Sequence, residues 1–252
     1  MKKFFFDRRY SGIIWTVIIS GIFWGLSQVE RQFFFGAKWF LFNSLLRFVF
    51  GIVVLVVGKW LYGKNVKKIL NFDNSKAAVT AGIGFIIYFI YYLVLVGLGM
   101  KTITGLTAGL LISRIFLQQI TTGFYEELNY RFLVLEGYFH GNRCVKNRLI
   151  YAFISFIIFG LMHVTTGWNT YTFLLTGTIG FALATMYLKS ENVVIPIIFH
   201  FVYDIVANLT DYIEWNEAIY MKVNSVFEIM IVIMFIISLA VLIKKEKPVS
   251  EV

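Results

Sequence analysis

The chain has 252 residues, 59% of them hydrophobic and 15% charged, with a mean hydropathy of +0.76 and a formal net charge of +9. This excludes an ordinary soluble domain, in which about 25% of residues are charged. It also excludes a nucleic-acid partner, because a basic binding face gathers its Lys and Arg on one soluble surface, whereas here they are dispersed along the chain.

A membrane-crossing helix needs about 20 largely apolar residues. Segments of that kind occur at roughly 11–28, 39–58, 78–99, 104–123 (with a continuation to about 139), 149–167, 170–188, 193–210 and 225–243. The first follows a basic start, MKKFFFDRRY, but it is long, has no small-residue cleavage site and precedes seven more spans. It therefore reads as a helix rather than a signal peptide. No linker, low-complexity tract or repeat divides the chain. The expected fold is all-α, a polytopic membrane bundle of about eight transmembrane helices forming one integral domain over 1–252.

Charge placement sets the expected orientation. With the N-terminus inside, the inner segments carry Lys2, Lys3, Arg8, Arg9, Lys59, Lys64, Lys67, Lys68, Lys76, Arg143, Lys146, Arg148, Lys189, Lys244, Lys245 and Lys247. The outer loops carry only Arg31, Lys38, Lys101 and Lys222, and Arg47, Arg114 and Arg131 fall within apolar stretches. That bias predicts both termini on the cytoplasmic side. The protein is thus expected to be a multi-pass protein of the cell membrane, with the lipid bilayer as its first partner. The single Cys144, in the inner loop HGNRCVKNR, allows neither an intrachain disulfide nor a cysteine metal site.

Ionisable groups at membrane depth are costly and mark functional cavities. In EELNYR, Glu127 and Arg131 are four apart and share a helix face, whereas Glu126 points about 100° away. Arg131 can then hold Glu127 while Glu126 faces a cavity as a general base. An interfacial helix touching headgroups accounts for the same residues. His163 ends a very apolar run, with Phe159 one turn earlier on its face. His200 sits within its segment and shares a face with Asp204, a spacing that lets a carboxylate orient an imidazole or complete an oxyanion or metal site. Pro196 either kinks this span or begins its helix. The third histidine, His140, belongs to a polar loop.

Neither an HExxH zinc signature nor a GxSxG elbow is present. Two schemes remain, and both hydrolyse an amide. Two imidazoles and a carboxylate can bind a catalytic Zn2+ with an open position. Alternatively, Glu and His activate water directly, while the other His and Asp204 stabilise the oxyanion.

The three motifs, Glu126-Glu127-x-x-x-Arg131, Phe159-x-x-x-His163 and His200-x-x-x-Asp204, resemble in order and spacing those of the CPBP intramembrane proteases. That family comprises type II CAAX prenyl endopeptidases and bacterial relatives linked to bacteriocin processing and immunity (Abi proteins). The resemblance covers about residues 120–210. It implies an intramembrane endopeptidase acting on a hydrophobic, prenylated or membrane-anchored peptide. Glu126 would act with His163 to activate water, while His200 and Asp204 would serve the oxyanion or a metal; Glu127 and Arg131 would shape the site. If zinc is used, Glu126, His163, His200 and Asp204 are the implied ligands. Members often carry Asn where this chain has Asp204, and an anionic carboxylate is the poorer oxyanion donor but the better metal ligand or histidine orienter. A non-proteolytic scaffold or bacteriocin-immunity protein on the same fold is the alternative. A small transporter or proton relay would show broken half-helices and repeat symmetry, and neither is found in the sequence.

Overall fold

A computed structural model of the chain describes residues 8–138, 144–165 and 167–244. His140, Arg143, Lys2, Lys3, Lys245 and Lys247 lie outside them. In chain order the elements are α1 (Arg8–Phe33), α2 (Gly36–Tyr62), the short α3 (Val66–Ile69), α4 (Ser75–Ala81), α5 (Ile83–Gly99) and β1 (Met100–Ile103). Then come a continuous helical segment, α6 (108–138), followed by α7 (Val145–His163), α8 (Thr170–Ser190), α9 (Val194–Thr210), β2 (Ile213–Trp215) and α10 (Glu217–Ile243). Each expected span falls on a helix. The protein is an all-α integral membrane bundle.

Length and apolar character alone qualify α2, α7, α8, α10 and nearly all of α1 to cross a bilayer. The α4–α5 pair adds a sixth span if its 60° bend at Gly82 is one broken crossing, and α9, with 17 residues, is shorter. Among the described residues, one strand pair joins the helices. The loops that follow α5 and α9 pair as a two-stranded antiparallel ribbon, with Met100 opposite Trp215 and Ile103 opposite Ile213. Two helix ends lie side by side here, and the ribbon satisfies backbone groups that neither helix can use.

α6 is the structural axis of the site. Its α-helical middle, Gln118–Glu127, is flanked by π-helical turns at Leu111–Leu117 and Leu128–Leu133. Such widened turns occur frequently at functional sites. Around it, Leu128, Leu133 and Leu135 are fully enclosed in a core shared with Val54 of α2 and Ala184 of α8. Polar bolts fasten α1 to α6: Thr16 Oγ1 donates to the Asn129 carbonyl at 3.0 Å, and Asn129 Nδ2 donates to Ser20 Oγ at 2.9 Å. In an apolar surround such groups need internal partners.

The loop before α9 is equally specified. Glu191 ends α8 in the left-handed conformation (φ 55°). Asn192 then caps α9, its Oδ1 accepting from the Val194 and Ile195 amides at 2.8 and 3.2 Å, and its amide reaches the Asp73 carbonyl at 2.9 Å. Pro196 therefore stands in the first turn, where its missing N–H has no intrahelical acceptor to lose. The helix-start reading of this proline is the one that applies.

One glycine is fixed by close approach. A Cβ on Gly12 would overlap the Leu133 carbonyl oxygen and the Tyr62 hydroxyl, two groups already joined by a 2.7 Å hydrogen bond. Gly12→Ala should therefore destabilise the protein in detergent by about 1–3 kcal/mol, the usual cost of overpacking. Gly21→Ala, on the same helix with open space around it, should leave the thermal midpoint within a degree or two, measured in parallel.

Candidate active site

Three helices supply the site. α6 contributes Glu126, Glu127 and Arg131, α7 contributes Phe159 and His163, and α9 contributes His200 and Asp204. Despite the π turn between them, Arg131 and Glu127 pair as their spacing predicts, with Nη1 3.0 Å from Oε1 and neither side chain exposed. The Arg131 guanidinium also lies over the Phe159 ring, 4.3 Å from its centroid, a cation–π contact that compensates part of its lost hydration.

The same Glu127 oxygen receives His200. Nδ1 of His200 stands 2.7 Å from Glu127 Oε1, and since an ionised carboxylate only accepts, the imidazole donates. This fixes the ring so that Nε2 faces the other two acids, 3.4 Å from Asp204 Oδ2 and 3.9 Å from Glu126 Oε2. The edge of Phe159 closes on His200 at 5.6 Å between centroids. Glu126 and Asp204 keep side-chain exposures of 13% and 16%, whereas Glu127 has none. The structure therefore encloses Glu127 entirely and leaves part of the Glu126 side chain accessible, although its Oε2 is enclosed.

His163 is placed differently. It is exposed at the C-terminal end of α7, with Nδ1 2.8 Å from the Phe159 carbonyl oxygen and its ring 4.5 Å from the Phe159 ring. It shares that phenylalanine with His200, but no hydrogen bond or ion pair joins it to Glu126 among the described residues. Nor does any group of three or more His, Cys, Asp or Glu side chains have the mutual placement of a metal site among those residues. Glu126, His200 and Asp204 come together, but the full four-residue set for zinc is not assembled in this conformation.

Arg47 of α2 is the residue that spacing arguments passed over. Its guanidinium lies 5.3 Å from the Phe23 ring and interacts electrostatically with Glu126 and Asp204. The available signal was a cation in the middle of an apolar span, itself a mark of function.

Residues 108–206 match the family model described as "Type II CAAX prenyl endopeptidase Rce1-like". The matched stretch runs from the start of α6 to within a turn of the end of α9 and contains all three motifs, in agreement with the resemblance drawn from them. No curated protein and no solved structure matches the chain. The motif-bearing segment, residues 108–206, is thus similar to a family of membrane-embedded proteases.

Arg131→Met should leave Glu127 buried without its cation, a change that costs about 3–5 kcal/mol when one partner of a buried pair is removed. We expect a sharp fall in folded yield, read by size-exclusion chromatography in detergent. Adding Glu127→Gln should recover part of it, because the stranded charge is gone.

Proposed function

We propose that the protein is an intramembrane endopeptidase that cuts hydrophobic, prenylated or membrane-anchored peptides in the cell membrane, from a cavity opening to the cytoplasmic side. The observation that carries this reading is the pairing of a buried, hydrogen-bond-free Glu126 Oε2 with an imidazole nitrogen 3.9 Å away. The gap is too long for a direct hydrogen bond, and one water can bond to both atoms.

In this scheme Glu126 takes a proton from that water as its oxygen attacks the scissile carbonyl, and later delivers the proton to the departing amine. His200 steers and stabilises the charge that develops on the carbonyl oxygen through its Nε2 side, while Glu127 holds the ring by Nδ1. Asp204 balances the imidazole from one turn along α9 rather than donating to the oxyanion. Arg131 holds Glu127 in place. His163, against the same phenylalanine as His200, completes the polar wall on the α7 side. A scaffold that only bound a partner would have no use for a Glu–His pair arranged in this way.

No step in this scheme passes through a metal. In the other scheme for the same hydrolysis, Glu126, His163, His200 and Asp204 would hold Zn2+, and the ion would polarise the scissile carbonyl.

Glu126→Gln should lower cleavage of a membrane peptide by about 10²–10⁴-fold while leaving insertion and thermal midpoint unchanged; activity within a few fold of wild type would remove the proposed base. Treatment with a strong chelator should leave turnover intact, measured with the same peptide. Loss on chelation with recovery on adding Zn2+ would select the metal scheme instead.

A further inference from the structure

Arg47 differs from the other two arginines that fall within apolar stretches, Arg114 and Arg131. Arg131 pairs with Glu127, and Arg114 donates to Asp211 at 2.6 Å and to the Tyr212 hydroxyl at 2.8 Å. Arg47 has no hydrogen-bond or ion-pair partner among the described residues, and its Nε and Nη1 are enclosed. Its guanidinium is held from below by Phe23, which itself packs on Tyr125 at 4.8 Å, the residue before Glu126. One turn further along α2, Gly51 leaves the space that the Phe124 ring occupies, which seats this stretch of α2 against α6. Glu126 and Asp204 attract the cation without reaching ion-pair distance. A cation without a partner among the described residues is thereby held, through Phe23 and Tyr125, on the α2 side of the segment that carries Glu126.

A guanidinium with two of its three nitrogens enclosed and no partner among the described residues is costly, and the cost is recovered when a planar anion takes both arms of the fork. We propose that Arg47 is the anion subsite of the cavity and receives a carboxylate of the bound peptide. This deepens the endopeptidase reading and rests on it for the identity of the ligand as a peptide. The subsite sets orientation: the carboxylate end of the peptide lies toward α2, and the bond to be cut lies over Glu126 and His200. Two carboxylates qualify chemically, the free C-terminus and an Asp or Glu side chain.

The test measures binding in the Glu126→Gln protein, so that it does not depend on turnover. Three detergent-soluble probes are compared: an N-acylated apolar heptapeptide ending in a free carboxylate with Asn at its penultimate position, the same peptide as its C-terminal amide, and that amide with Asp in place of the Asn. The free acid should bind about tenfold or more tighter than the amide, a difference of about 1.4 kcal/mol. Adding Arg47→Gln should erase that preference by weakening the acid alone, and Arg47→Lys should retain part of it. If the Asp-containing amide binds like the acid, a side-chain carboxylate fills the subsite; if it binds like the plain amide, the C-terminus does. In the otherwise wild-type enzyme, Arg47→Gln should raise KM for the acid about tenfold with a much smaller change in kcat. Equal affinity for acid and amide before Arg47 is changed, a preference that survives Arg47→Gln, or an equal loss of kcat on both peptides would overturn the proposal. An Arg47-dependent preference in a protein that cleaves none of the peptides would uphold the subsite and overturn the endopeptidase reading.

Discussion

A carboxylate with no exposed surface can persist among apolar helices only if its charge is answered within the protein. Glu127 is answered twice by one oxygen, with Arg131 3.0 Å away on its own helix and His200 2.7 Å away on α9. That arrangement joins α6 to α9 across the site. A ring that donates through Nδ1 presents its Nε2 side to Asp204 and Glu126. The chemistry proposed for Glu126 depends on this placement, because the His200 imidazole is the group that faces its Oε2.

Phe159 plays the corresponding part for α7. The Arg131 guanidinium lies on its face, and both histidines pack against it. Three helices thus meet on one aromatic ring, a side chain that needs no partner of its own. Close helix approach supports the same arrangement from outside. A Cβ on Gly180 of α8 would press on Phe159 Cβ and the Ser155 carbonyl, so a glycine there lets α8 lie directly against the helix that carries the ring.

Apolar runs are a property of local sequence, and all the expected spans emerge as helices for that reason. The Glu127–Arg131 pair was equally legible, as a four-residue spacing on one helix. What lies between distant segments was not. The Glu127–His200 contact spans 73 residues, so spacing could give Glu127 only its neighbour in sequence. The β1–β2 ribbon comes from an exposed loop and a half-buried one that meet only once α5 and α9 are packed. The π turns of α6 add a residue without disturbing the apolar pattern enough to be read. His163 was grouped with Glu126 by motif resemblance, yet in the structure it is Phe159, one turn earlier, that meets His200. Arg47 was visible as a charge in an apolar run, but the acids that attract it belong to other helices.

The central claim is that Glu127 holds the His200 ring by its Nδ1 proton. Solid-state nitrogen NMR on protein labelled at histidine reads this directly, with the His200 signal assigned by its disappearance in His200→Asn. The account predicts a protonated, strongly hydrogen-bonded Nδ1 whose resonance shifts when Glu127→Gln replaces the carboxylate. An unprotonated Nδ1, or a signal indifferent to that substitution, would contradict it.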